Sequence, residues 1–171
     1  MMALKRFQIL IVLLMLITAS ACTIGYSFTG APITAKTISI DFFPNKARLV
    51  NPSLSQTLTD GFRDKFVNQT KMDLVEGDAD MHIEGEIVDY RTTPVAIQGN
   101  ETAALNRLSI SVHVVFTNNE PGKENDSFDQ TFTGYEDYDA SRSFSSVEDR
   151  LVEIITERII TDVFNKAVVN W

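Results

Sequence analysis

Three stretches of this chain alternate apolar and polar residues with a period of two, the pattern of a β-strand with one buried face. They are ADMHIEGEIVDY (79–90), RLSISVHVVFTN (107–118) and DSFDQTFTGYEDY (126–138). In the first stretch, the alternation assigns His82, Glu84, Glu86 and Tyr90 to the polar side. A short Pro-Gly turn between the last two stretches makes them antiparallel neighbours. We therefore expect a sheet with one apolar face and one polar face.

Two segments have the period of amphipathic helices. The first follows an Asn51-Pro52 start signal and repeats large apolar residues every four positions over about 52–68. Gly61 lies inside it, which indicates a close approach of this helix to the sheet. The second, 145–171, carries a broad apolar stripe, and Ser145 with Glu148 fits a capping box.

A strand-like segment, KTISIDFF (36–43), precedes the first helix, so the order is strand, helix, three or four strands, helix. This order predicts an α+β fold: a two-layer sandwich with two amphipathic helices packed on one face of a sheet. The sheet is expected to be four- to five-stranded and mixed, largely antiparallel. Residues 36–171 are predicted to form this single α+β domain.

The N-terminus has the composition of an export signal. Its apolar run, 7–17, is eleven residues long and follows Lys5 and Arg6, which is too short to span a bilayer but suits a signal-peptide core. Small residues at 19–21 lead into Cys22, the single cysteine of the chain. We predict a signal peptide over 1–21, lipid attachment at Cys22 and a lipidated tether over 22–35. An ordinary secretory signal with an incidental cysteine is the alternative.

Lipidation would anchor the protein without a membrane span. More than one acyl chain, such as palmitate, gives close to permanent attachment because each buried CH₂ contributes about 0.8 kcal/mol. Loss of 1–21 removes Lys5 and Arg6 and no acids, so the formal net charge would change from −8 to −10. A body this acidic is repelled by nucleic acid, and we expect no nucleic-acid partner.

The polar residues do not form a catalytic motif. His82, Glu84 and His113 could hold zinc if their strands were in register. Alternation collects polar residues on one side in any half-buried strand, however, so a solvated face is the favoured interpretation and we expect no metal and no cofactor. The chain has neither a phosphate-binding glycine loop nor a nucleophile elbow. An enzyme is therefore not expected, and no catalytic residue is assigned.

Two connecting segments are candidates for contacts. Residues Thr92–Asn106 form a long link between two strands, with apolar residues that fit no period. Flexible padding, contact with an acyl chain and contact with another protein all remain open. The segment GYEDYDASRS (134–143) concentrates acids and tyrosines and is either a docking loop or a solvated connection.

Several segments together resemble a known family. They are the cysteine followed by GYSFTGA, then KTISIDFFPNKARLVNPSLSQTLTDGFRDKF, TPVAIQG, NRLSISVHVVFTN and ITDVFNKAVVNW. The combination resembles LptE-type lipopolysaccharide-assembly lipoproteins in the form found in Bacteroidetes, and it covers nearly all of the chain after Cys22.

The resemblance implies a non-enzymatic subunit of the outer-membrane translocon that delivers lipopolysaccharide to the cell surface. Members of the family plug the LptD β-barrel and assist its assembly, and some bind lipopolysaccharide. No charged residue lies between Cys22 and Lys36. In this phylum that absence implies a lipid-anchored protein of the cell outer membrane that faces the periplasm. The alternative is a free-standing periplasm-facing lipoprotein that binds a small ligand or a cell-wall component.

Direct contact with lipopolysaccharide would need cations, because its phosphates and carboxylates are bound by arginine and lysine. The candidates are Arg91 and Arg107, which flank the long link, and Lys46 and Arg48, which follow the first strand. Ordinary surface charge is the alternative for all four.

Overall fold

The computed structural model describes residues 33–49, 51–95 and 104–169. Over these ranges the chain forms five strands and two long helices, with short helical turns at Glu124–Asp126, Phe144–Ser146 and Asn165–Val169. In chain order the elements are β1 (Thr37–Ile40), α1 (Leu54–Gln69), β2 (Asp73–Leu74), β3 (Met81–Val95), β4 (Leu105–Asn118), β5 (Phe128–Asp139) and α2 (Glu148–Phe164).

The strands form one mixed sheet in the order β2-β1-β3-β4-β5. Strand β1 pairs in parallel with β2 and with β3, and α1 makes the crossover connection. Strands β3, β4 and β5 form an antiparallel meander. The predicted fold class, an α+β sandwich with two helices on a mixed sheet, is confirmed.

The core lies between the helices and the apolar face of the sheet. Phe43 stacks on Phe62 of α1 at 4.9 Å between ring centroids, and Phe66 meets Phe164 of α2 edge to face at 5.0 Å. Such aromatic pairs contribute about 0.5–1.5 kcal/mol beyond the area they bury. Further fully buried core residues are Ile38, Leu54, Leu58, Ile83, Ile87, Leu108, Ile110 and Ile155.

A β-bulge in β3 corrects the expected orientation of Tyr90. The register shifts between Ile87 and Asp89, so one extra residue, Val88, is inserted and the alternation changes side. Tyr90 therefore pairs with Ile110 and is only 5% exposed, on the core side rather than the polar side. A strict period of two cannot anticipate such an insertion, and the prediction for Tyr90 was wrong.

The two helices begin differently from one another. Asn51 Oδ1 accepts hydrogen bonds from the backbone N–H groups of Ser53 and Leu54, as a capping side chain does, but α1 begins at Leu54 with Ser53 in the N-cap position rather than at Pro52. The predicted capping box of Ser145 with Glu148 does not form, because Ser145 lies in a short helical turn and α2 begins at Glu148 without a side-chain cap.

Gly61 marks a close approach, but to the other helix. A Cβ on Gly61 would lie 2.5 Å from Ile160 Cδ1 of α2. The expected contact with the sheet was wrong, because the two helices cross side by side on one face.

The long link between β3 and β4 is shorter than expected. Strand β3 continues to Val95 and β4 begins at Leu105, so both ends of the predicted link, 92–95 and 105–106, are paired strand. The rest of the predicted link, 96–103, lies outside the described residues, as do the predicted signal peptide, 1–21, and Cys22. At the start of the described residues, Ile33 packs on the core and Ala35 is buried.

None of the helices in the described ranges has the length and apolar character needed to cross a bilayer.

Candidate interaction surface

The side of the sheet opposite the helices is a large polar surface. Cross-strand partners place matching residues of β3, β4 and β5 on it in successive rows, because neighbouring residues of a strand point to opposite faces. We call this surface the open face; it comprises Ser39, His82, Glu84, Glu86, Asp89, Arg91, Thr93, Arg107, Ser109, Ser111, His113, Val115, Thr117, Asp129, Thr131, Thr133, Tyr135 and Asp137.

At one end of the open face, Arg107 contacts both Asp137 and Tyr135. Arg107 Nε lies 2.7 Å from Asp137 Oδ1 and its second nitrogen lies 2.9 Å from Oδ2, a bidentate ion pair. The same guanidinium lies over the ring of Tyr135, 3.9 Å from its centroid. Hydrogen bonding from Arg107 lowers the pKa of Asp137. This end of the surface is therefore held in one geometry and is charged at neutral pH.

Arg91 and Arg107 are diagonal neighbours on the open face. Arg91 lies opposite Ser109, two positions from Arg107 along β4, which brings the two side chains within reach of one another. Each guanidinium already has a carboxylate partner, since Arg91 lies 2.7 Å from Asp89. An anion that binds here would have to share these cations with two acids.

Lys46 and Arg48 lie away from this pair, on the segment that follows β1. The backbone N–H of Lys46 donates to Ile87 O at 2.8 Å, which holds the segment along β3. Both side chains are exposed. The structure thus places the four candidate cations in two pairs rather than in one cluster.

The two histidines of the open face do not come together. His82 lies opposite Thr117 and His113 lies opposite Glu86, so they are separated by four positions along β3, about 13 Å. His113 Nε2 lies 2.6 Å from Asp129 Oδ1. The combination of His82, Glu84 and His113 is therefore not a single site. Instead, Asp41 lies beside His82, a neighbour that the sequence pattern did not indicate because it depends on the parallel pairing of β1 with β3.

The open face carries more acids than arginines. Its carboxylates are Glu84, Glu86, Asp89, Asp129 and Asp137, against Arg91 and Arg107. Its remaining polar groups bond to each other in places, as Ser111 Oγ and Thr133 Oγ1 do at 2.8 Å. The surface is polar and internally hydrogen-bonded, which suits contact with another polar surface rather than insertion into lipid.

A groove lies between the two helices. It has a volume of about 500 Å³ on the side of the helices away from the sheet, and its lining mixes charged groups such as Lys65, Glu153 and Glu157 with Gly61 and Ile160. Lys65 Nζ donates to Thr161 Oγ1 at 3.2 Å. The residues of this groove are not arranged as a nucleophile with a base.

Comparison with known proteins gives one family and several solved structures. The LptE family model, described as lipopolysaccharide-assembly, matches residues 35–167. A comparison with curated proteins found no significant match.

Among solved structures, the hypothetical protein CT253 from Chlamydia trachomatis is similar with a TM-score of 0.56 and 11% identity, covering 79% of this chain and 98% of that one. A neuraminyllactose-binding hemagglutinin homolog from Helicobacter pylori has a TM-score of 0.50 and 9% identity, covering 82% and 87%. At such low identities these likenesses show a shared fold alone.

Proposed function

The chain belongs to the LptE family of lipopolysaccharide-assembly proteins, and on that premise we propose that it is a subunit of the outer-membrane lipopolysaccharide translocon. The family consists of non-enzymatic envelope lipoproteins that work with the lipopolysaccharide transport machinery. In this proposal the protein plugs an LptD-type β-barrel, assists its assembly and makes its contacts through the open face. The Bacteroidetes form of the family is the one we propose.

The observation that carries the proposal is the polar character of the open face. The lumen of a large outer-membrane barrel is polar. A domain seated there has to present polar, hydrogen-bonding groups, and the open face supplies serines, threonines, acids and paired arginines along the whole of β3, β4 and β5. At about 3.4 Å per residue, the fourteen residues of β4 extend this surface over roughly 45 Å.

The proposed anchor is compatible with this placement. A lipid on Cys22 would fix the protein to the outer membrane, facing the periplasm, after removal of 1–21. About eleven residues separate Cys22 from Ile33, and an extended chain of that length reaches up to about 40 Å. The folded domain would therefore be free to enter a barrel while its lipid stays in the bilayer.

Copurification in mild detergent tests the proposal. A tagged full-length chain should bring down a β-barrel of much greater mass. The variant Thr93→Arg with Thr131→Arg places two large cations on exposed positions of the open face and should reduce the yield of the barrel at least tenfold. The matched variant Thr57→Arg with Asn68→Arg adds the same charge to exposed positions of α1 and should leave the yield unchanged.

Two outcomes count against the proposal. If the tagged wild-type chain elutes alone, a free-standing lipoprotein that binds a small ligand or a cell-wall component becomes the better interpretation. If both variants retain the barrel equally, the open face is not the contact surface.

A further inference from the structure

Three side chains with metal-ligating atoms converge at the β1 end of the open face. They are Asp41, His82 and Glu84, and one ligand atom from each lies within 4.8 Å of those from the other two. The backbone creates this arrangement, because Ser39 of β1 is in register with His82 of β3 and the N–H of Asp41 donates to Ile83 O at 2.9 Å. Both carboxylates are exposed, so solvent and ions have access to them.

A buried serine orients the imidazole. His82 Nδ1 lies 2.7 Å from Ser39 Oγ, and Ser39 is only 2% exposed. With its proton on Nδ1, the ring bonds to Ser39 and directs the lone pair of Nε2 toward the carboxylates. Histidines that bind metals commonly use one nitrogen for the metal and bond through the other in this way.

The second histidine of the open face, His113, provides a comparison within the same surface. His113 Nε2 lies in direct contact with one carboxylate, Asp129, at 2.6 Å. His82 Nε2 lies 3.8 Å from Asp41 Oδ2, beyond hydrogen-bond distance, and a second carboxylate, Glu84, approaches as well. Two carboxylates this close repel one another, and a bound cation relieves that repulsion.

We propose that Asp41, His82 and Glu84 form a binding site for a divalent transition metal ion, with zinc as the best fit. Zinc takes one histidine nitrogen and carboxylate oxygens at about 2.0–2.2 Å, which puts tetrahedral ligand atoms roughly 3.3–3.6 Å apart. The separation of Nε2 and Oδ2, 3.8 Å, is already near this value. Calcium and magnesium favour sites made of oxygen ligands alone, so the histidine selects against them.

Zinc binding needs only this chain and can be tested without the barrel, although His82 and Glu84 belong to the open face. Three protein ligands leave one tetrahedral position open, and water fills it. Asp41 also borders a surface depression of about 510 Å³ with Phe42, Leu74 and Glu76.

Zinc binding by the purified full chain in detergent tests this proposal. The affinity for zinc is measured by competition with a chromogenic chelator, and bound metal is counted by elemental analysis. His82→Ala and Glu84→Gln should each weaken zinc binding at least tenfold. Glu84 is exposed, so Glu84→Gln tests the site even if His82→Ala disturbs the contact with Ser39.

His113→Ala is the matched control, because it removes the other histidine of the same face together with its single carboxylate contact. It should bind zinc as the wild type does. Zinc should also raise the unfolding temperature of the wild type and of His113→Ala, but not of His82→Ala. The proposal is overturned if the wild type binds no zinc, if Glu84→Gln and His82→Ala bind it as tightly as the wild type, or if His113→Ala loses it equally.

Discussion

Tyr90 Oη donates a hydrogen bond to Glu148 Oε1 at 2.6 Å, and the same oxygen accepts one from Asn51 Nδ2 at 2.8 Å. These contacts join β3 to the start of α1 and to the first residue of α2. Burial, and then the hydrogen bond to Glu148, raises the pKa of Tyr90, so the phenol remains a proton donor. One side-chain cluster therefore fixes both helix N-termini on the sheet.

Replacement of Tyr90 by Phe should lower the free energy of unfolding by about 2 kcal/mol, because the Glu148 carboxylate loses the hydrogen bond that it accepts from the phenol. Tyr135→Phe is the control, since that side chain is 47% exposed, and its effect should stay within about 0.5 kcal/mol. Urea unfolding of the two variants beside the wild type measures both values. Equal effects would show that the cluster does not stabilise the fold.

The fold was largely predictable from the sequence, but its side-chain clusters were not. The alternation in β3 predicts correctly that His82 and Glu84 lie on the polar face of the sheet. The bulge at Val88, however, places Tyr90 on the core side. A bulge depends on which strands lie alongside, and pattern alone does not contain that information.

Contacts between elements that are distant in sequence were missed for the same reason. Gly61 indicates a close approach, but only the packing of α1 on α2 shows that Ile160 is the neighbour. Asp41 joins His82 because β1 and β3 pair in parallel, a register that no local pattern specifies. Prediction from the sequence therefore succeeded for the type and order of the long helices and strands, and it failed where two elements had to be placed against each other.

Gly85 should tolerate no side chain. A Cβ there would collide with the backbone carbonyl oxygen of His113 and would lie 2.7 Å from Phe43 Cε1. Gly85→Ala should cost about 3 kcal/mol or more, because backbone and a buried ring cannot move aside cheaply.

Gly61→Ala is the matched comparison. Its Cβ would meet only the end of the Ile160 side chain, which can rotate, and alanine gains about 1 kcal/mol in helix propensity. Thermal unfolding should place Gly85→Ala far below the wild type and Gly61→Ala within a few degrees of it. The reverse order would contradict the packing described for both glycines.

Acid should weaken the ion pair between Arg107 and Asp137. The hydrogen bond from Arg107 holds the pKa of Asp137 below its ordinary value of 3.8, so at acid pH the unfolded chain binds more protons than the folded one. The contribution to stability is fully present above about 3.8 and is lost as the pH falls through the lower pKa of the folded state.

Asp137→Asn should therefore flatten the loss of stability below pH 4, as measured by urea midpoints from pH 2.5 to 7. Asp162→Asn, on the exposed side of α2, provides the comparison. An acid dependence of Asp137→Asn identical to that of the wild type would show that this pair does not contribute.

Cys22→Ser should abolish lipid attachment at this position. Serine offers no thiol for the diacylglyceryl group, so the chain should move from the membrane pellet to the soluble fraction or keep its leader. Mass spectrometry of the wild-type protein should find an acylated cysteine as the first residue. An unmodified thiol in membrane-derived material would contradict the proposed anchor.

Arg91 and Arg107 are the cations of the open face, and we propose that they contact the anionic groups of lipopolysaccharide. Arg91→Glu with Arg107→Glu should lower capture on a lipopolysaccharide column at least tenfold at low salt, because the change leaves Asp89 and Asp137 without partners and makes the surface wholly acidic. Arg142→Glu with Arg150→Glu makes the same change in net charge at exposed positions off the open face and should leave capture intact. Circular dichroism confirms that both variants fold. If the two double variants are captured equally well, neither arginine of the open face binds the ligand, and any capture that remains comes from another part of the chain.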